Sequence, residues 1–143
     1  MILQRDPRLN NQINKFGCYL MSIFFLINKH TNYMFSPDII NDLYKVFVNH
    51  GLIDRDCYIF DPDAIFDFLC MPVQYTQKHE TAFRRCGEDE IEILMFQLTR
   101  PDCYLWKHFT AGSGNGTVTY DPWGCSRAVA EGRLVNKRIF RRL

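Results

Sequence analysis

Between Asn11 and Asn28 the chain reads Asn-Gln-Ile-Asn-Lys-Phe-Gly-Cys-Tyr-Leu-Met-Ser-Ile-Phe-Phe-Leu-Ile-Asn. A polar lead gives way at Gly17-Cys18 to an almost wholly apolar run. Phe16, Leu20, Ile23, Phe24 and Ile27 keep helical spacing, and Tyr19, Met21, Phe25 and Leu26 fill the remaining faces. A helix that is apolar all round is buried all round. The run falls short of the roughly 20 apolar residues that cross a bilayer. The expectation is a central core helix ending near Asn28 to His30, with Cys18 at its N-terminal end, wrapped by everything else in the chain.

That position matters for a thiol. The first N–H groups of a helix have no partner within it, and the helix dipole places partial positive charge there. Both favour the thiolate, which is the nucleophilic form. Gly17, just before the cysteine, permits close approach of a backbone or a substrate. Gln12 lies six residues upstream, far enough for its amide to swing back beside the sulfur. The alternative for Cys18 is one more small buried hydrophobe, the common fate of a free cysteine.

A chain of 143 residues with 47% apolar and 15% aromatic residues is expected to form one domain, residues 1–143, with a full core. A net charge of +1 argues against nucleic acid as the main partner. The C-terminal Lys137, Arg138, Arg141 and Arg142 read as a solvated tail. The six cysteines (Cys18, Cys57, Cys70, Cys86, Cys103 and Cys125) include no CxxC pair, so the pattern of a zinc knuckle or a thioredoxin-type motif is missing, and no metal or cofactor is implied. The start, Met-Ile-Leu-Gln-Arg-Asp-Pro, lacks the hydrophobic core and cleavage site of a signal peptide. A reduced, cytoplasmic protein without membrane partners is the expectation.

In chain order, residues Met1 to Lys15 look polar and irregular, laid over the surface before the buried helix. Ser36-Pro37-Asp38 opens a helix with a capping hydroxyl, a proline at the first position and a carboxylate in the first turn. Its apolar stripe is Ile39, Ile40, Leu43, Val46 and Phe47, and Gly51 stops it. Asp61-Pro62-Asp63 repeats the signal for a helix burying Ile65, Phe66, Phe68 and Leu69. Cys57 to Phe60 suggests a short extended piece. Val73 to Thr76 suggests a short strand, Ile91 to Thr99 a buried one, and Gln77 to Asp89 gives no clear pattern. Cys103 to Ala111, a turn at Gly112–Gly116 and Thr117 to Tyr120 form a β-hairpin closed by Asp121-Pro122-Trp123-Gly124. Helices first and strands afterwards predict an α+β fold.

His108 falls on the first strand of that hairpin and Asp121 at the end of the second. Across the turn the two can be neighbours, and a carboxylate on one imidazole nitrogen fixes the tautomer and aims the other nitrogen outward. Packed against the start of the Cys18 helix, thiol, imidazole and carboxylate form the line used in acyl transfer. Gln12 and the backbone N–H of Cys18 would then face the oxyanion. Taken singly, His108 is equally a structural strand histidine, Asp121 an ordinary turn residue and Trp123 a lid over the core. His30, His50 and His79 are alternative bases, although none has a carboxylate on an adjacent hairpin strand.

Gln12 and Cys18, Trp106-Lys107-His108-Phe109-Thr110, and Val118-Thr119-Tyr120-Asp121-Pro122-Trp123-Gly124 together resemble the papain-like cysteine peptidases, in particular their bacterial C39-like branch. The likeness implies a papain-like fold with Cys18 as nucleophile, His108 as base and then acid, Asp121 as orienting carboxylate and Gln12 as oxyanion donor. It makes Gly17, Tyr19 and Trp123 substrate-binding residues. Members of that branch usually carry glycine directly after the cysteine, where this chain has Tyr19. A peptide, a protein or a cell-wall peptide would be the substrate. The competing expectations are a catalytically idle papain-like domain serving as a binding or phage and mobile-element accessory protein, and metal binding through scattered Cys and His.

Overall fold

Asn10 opens the first helix: its side-chain oxygen accepts from Gln12 N–H at 2.8 Å, and α1 runs Asn11–Phe16. The computed structural model describes the backbone throughout and the side chains of residues 1–73 and 81–143. Helix α2 follows at Cys18–His30 and buries Leu20, Met21, Ile23, Phe24, Leu26 and Ile27, as its pattern predicts. The junction is tight. A Cβ on Gly17 would stand 2.6 Å from Ile13 O and 2.8 Å from Ile13 Cγ2, so only glycine lets the chain turn there.

Ser36 caps α3 (Pro37–Asn49) by accepting from Ile39 N–H, and Asp61 caps α4 (Pro62–Phe68) through Asp63 N–H. Both starts match the sequence signals. The buried stripe of α3 is Ile40, Tyr44 and Phe47, so Ile39, expected inside, is exposed. Phe68 is likewise exposed, with its ring edge-on to Phe47 at 5.5 Å.

Five strands then form one antiparallel sheet in the order β1-β5-β2-β3-β4: β1 Val73–Thr81, β2 Glu90–Thr99, β3 Leu105–Gly112, β4 Val118–Tyr120 and β5 Arg133–Arg142. A short helix, α5 (Arg127–Glu131), precedes β5 and is capped by Ser126. The class is α+β. One face of the sheet, through Ile91, Ile93, Ala111 and Phe140, joins the core of α2, α3 and α4. The other packs Leu94 and Phe96 against Ala128 of α5.

Two expectations need correction. Residues Met1 to Lys15 are not an irregular surface strip: Gln4, Leu9 and Ile13 are buried. Tyr120 Oη donates to Ile2 O at 2.7 Å and Gln4 N–H to Pro122 O at 2.7 Å, which pins the N-terminal segment to the end of the β3–β4 hairpin. Nor are the C-terminal basic residues a tail: they lie on β5, between β1 and β2, where Lys137 is 1% exposed and Arg138 half-buried, although Arg141 and Arg142 are exposed as expected.

Burying an ammonium requires a full set of partners. Lys137 Nζ sits 2.8 Å from Glu92 Oε2 and donates to Arg84 O at 2.7 Å. Glu92, wholly buried, uses Oε1 to accept from Gly114 N–H at 2.8 Å and Gly116 N–H at 2.9 Å. The pair thereby ties β2 and β5 to the turn of the β3–β4 hairpin. A Cβ on Gly112 would fall 2.4 Å from Glu92 Oε1, so this face is closed around the carboxylate. Removing one partner of a buried pair costs about 3–5 kcal/mol, whereas replacing both with apolar groups is often neutral. Lys137→Met is therefore expected to destabilise the fold by about 3 kcal/mol or more in urea unfolding, and Lys137→Met with Glu92→Leu by clearly less. Additive losses in the double variant would contradict this reading of the pair.

Candidate active site

Cys18 is the first residue of α2. Met21 N–H bonds to Gly17 O at 2.8 Å, which starts the new helical ladder there. Ser22 Oγ donates to Cys18 O at 2.8 Å and reaches Phe109 O at 3.4 Å, so the start of α2 is fastened to β3. Cys18 is half-buried and lines a cavity of about 1090 Å³, together with Gln4, Tyr19, Cys57, His108 and Trp123.

His108 is 3% exposed. Its Nε2 lies 2.7 Å from Asp121 Oδ1, which leaves Nδ1 as the ring nitrogen away from the carboxylate, and Cys18 is near enough to act on its titration. The carboxylate is in turn fixed by the turn that carries it. Asp121 Oδ1 accepts from Trp123 N–H at 3.0 Å and Oδ2 from Ser126 N–H at 2.9 Å. His108 of β3 and Asp121, just after β4, are thus paired, and Cys18 of α2 shares the cavity wall with His108. Ser126 was invisible in the sequence as part of this group. It is recognisable only as the cap of α5, whose start happens to face Asp121.

The electrostatics follow from that arrangement. Burial alone would lower the His108 pKa, but the hydrogen bonds to Asp121 and Cys18, with the charges of both, outweigh it and raise it from 6.5 to about 9. Burial would likewise raise the Asp121 carboxyl. Hydrogen bonds from His108 and Ser126, and the imidazolium charge, instead hold it well below the usual carboxylate range. The arrangement favours a protonated imidazole at neutral pH, poised to give up its proton.

The other expected residues separate. Tyr19 and Trp123 line the cavity. Gly17 is buried outside its wall, and the space beside its Cα is filled by Ile13, not by a substrate. Gln12 is turned elsewhere: its Nε2 donates to Asp56 Oδ1 at 3.2 Å, and its side chain does not line the cavity. The cause is local, because Asn10 nucleates a helix across Asn11–Phe16 and so fixes the direction of Gln12. A different carboxamide occupies the cavity. Gln4, 3% exposed, donates from Nε2 to Asn14 O at 3.1 Å, and its Oε1 has no partner among the described residues. Asn14 Nδ2 returns a bond to Gln4 O at 2.6 Å.

Cys57 also lines the cavity, at φ 60°. Burial first, then the charges of Cys18, Asp54 and Asp56, push its thiol up to about 12, so it remains protonated. Among the alternative bases, His30 lies at the far end of α2, and His50 binds Val46 O through Nδ1 at 2.9 Å. The side chain of His79 lies outside the described residues.

The raised His108 pKa has a defined consequence. Relative to an unfolded value of 6.5, its protonated form adds stability that is complete below about pH 6.5 and is lost as pH rises through about 9. In NMR titration the His108 ring is expected to titrate near 9. In Asp121→Asn, where a charge and a strong acceptor are lost while burial remains, it is expected to fall to 6.5 or lower. A wild-type value at or below 6.5 would contradict the described arrangement.

No helix among the described residues is long and apolar enough to cross a membrane. No curated protein matches the chain, and no solved structure does. A family model described as "Protein of unknown function, DUF261" matches residues 1–142, and the chain belongs to that family.

Proposed function

We propose that this protein is a papain-like cysteine peptidase or amidase that cleaves a peptide or related amide bond through a thioester. The observation that carries this reading is a buried imidazole paired with the Asp121 carboxylate that shares the wall of an open cavity with the Cys18 thiol, itself the first residue of a buried helix. Cavity, activated nucleophile, base and orienting group are the parts that acyl transfer needs.

In the proposed reaction Cys18 Sγ, having given its proton to His108, attacks the carbonyl carbon and the carbonyl π pair moves onto oxygen. The developing oxyanion is met by the backbone N–H at the start of α2 and by the second Nε2 proton of Gln4, the first being held by Asn14 O. Collapse expels the amine, which takes the proton from His108 and leaves an acyl thioester on Cys18. Water, deprotonated by His108, then attacks the thioester. The acid departs and the thiolate and imidazolium are restored. Asp121 holds the ring in the tautomer that both halves require. Gln4 thus takes the role that the sequence pattern suggested for Gln12. A peptide, protein or cell-wall peptide fits a cavity of this size and mixed lining.

Two reagents separate the steps. Iodoacetamide alkylates a reactive thiol without forming an oxyanion, whereas p-nitrophenyl acetate acylates it through one. Mass spectrometry is expected to place the alkyl group on Cys18, with the rate falling about tenfold or more in His108→Ala. Gln4→Ala is expected to retain alkylation and to lose about 10²-fold in ester turnover. Equal Cys18 labelling in wild type and His108→Ala would overturn the reading, and so would ester turnover that survives Cys18→Ala.

A further inference from the structure

The residue after the nucleophile and the residue after the base meet one another. The rings of Tyr19 and Phe109 stack at 4.6 Å with planes 15° apart. Arg138 of β5 lies over this pair, its guanidinium carbon 4.8 Å from the Phe109 centroid and 5.9 Å from that of Tyr19. Tyr19, Phe109 and Arg138 all line the cavity that holds Cys18 and His108.

Arg141, three residues along the same strand, stands within ion-pair distance of Asp89 and Glu90. Arg138 donates through Nη1 to the neutral amide oxygen of Asn136, and no carboxylate among the described residues is paired with it. The carboxylates that share the cavity are engaged elsewhere. Asp54 Oδ1 accepts from Asp56 N–H and Tyr58 N–H, and Asp56 Oδ1 accepts from Gln12.

A guanidinium has five donors in a planar fork that matches a carboxylate with two parallel bonds. Stacking on aromatic faces fixes the plane of the fork before any ligand arrives. A half-buried cation on the wall of the cavity that Cys18 lines, oriented and with no carboxylate paired to it among the described residues, is the arrangement that a substrate anion completes.

We infer that Arg138 is a carboxylate-binding subsite of the cavity, and that the amide cleaved at Cys18 carries a free carboxylate close to the scissile carbonyl. This rests on the hydrolase reading above and narrows its substrate to acidic peptides or peptides cut next to a terminal carboxylate. Tyr19, which stands where the peptidases that the sequence resembles usually carry glycine, then has a role: with Phe109 it forms the platform that holds the arginine.

The test uses alkylating probes that differ only in charge. N-iodoacetyl-glycine, N-iodoacetyl-β-alanine and N-iodoacetyl-γ-aminobutyrate place a carboxylate at increasing distance from the reacting carbon, and their carboxamides serve as neutral partners. Cys18 Sγ displaces iodide from each. At least one acid is expected to label wild-type Cys18 about tenfold faster than its amide, as a charged hydrogen-bonded pair supplies. That preference is expected to disappear in Arg138→Met and to survive in part in Arg138→Lys, which keeps the charge but loses the fork. Only the acid-to-amide ratio is read, each rate being normalised to that of exposed Cys70. If the arginine is only a ring-stacking staple, the acid-to-amide ratio will be the same in wild type, Arg138→Lys and Arg138→Met, and the subsite is overturned while the hydrolase reading stands. If no probe labels Cys18 in wild type, the hydrolase reading fails and the subsite goes with it.

Discussion

A helix with no polar face has to be enclosed, and the enclosure of α2 organises the molecule. Helix α3 packs on it through Phe47 against Phe24, and strands β2 and β3 pack on it as well, so seven of its thirteen residues are buried. Enclosure stops at its first residue, where Gly17 lets the chain fold back sharply over Ile13. Cys18 is thus set at the rim of the core, apolar support behind it and a cavity in front. That border suits a reactive thiol: deeper it would meet no substrate, and farther out no structure would orient it.

The geometry of the candidate site then depends on how rigidly the hairpin is held against that rim. Three devices do this. Ser22 spans from Cys18 O to Phe109 O, the N-terminal segment is bonded to Tyr120 and Pro122, and Glu92 grips the turn through Gly114 and Gly116 while Lys137 neutralises it. Each device is polar and mostly buried, so each fixes direction as well as distance. His108 and Asp121 accordingly face one another at 2.7 Å although they lie on different strands.

The parts of this arrangement that were legible in the sequence are the ones encoded locally. The apolar run from Tyr19 to Ile27 specifies a buried helix, Ser36-Pro37 and Asp61-Pro62 specify helix starts, and the glycine-rich turn specifies the hairpin that carries His108 and Asp121. What was illegible depends on distant partners. Lys137 and Arg138 look like tail residues until β5 is seen to lie between β1 and β2, where one meets Glu92 and the other the Tyr19–Phe109 stack. Gln4 gains its place only because Ile2 and Gln4 bond the hairpin end more than a hundred residues later. Gln12 loses its expected place to a capping bond from Asn10, a short-range signal outweighed in the sequence by the six-residue interval to Cys18.

The central claim is that one sulfur, one imidazole and a carboxamide from the N-terminal segment surround a single reacting carbon. The most direct measurement is a crystal structure of the protein soaked with a peptide aldehyde, which forms a reversible hemithioacetal with a reactive thiol. The account predicts a carbon bonded to Cys18 Sγ, its oxygen directed at the start of α2 and at Gln4 Nε2, and His108 Nδ1 within hydrogen-bond reach. An adduct on another cysteine with Cys18 unmodified, or an oxygen turned away from Gln4 and the helix start, would contradict it.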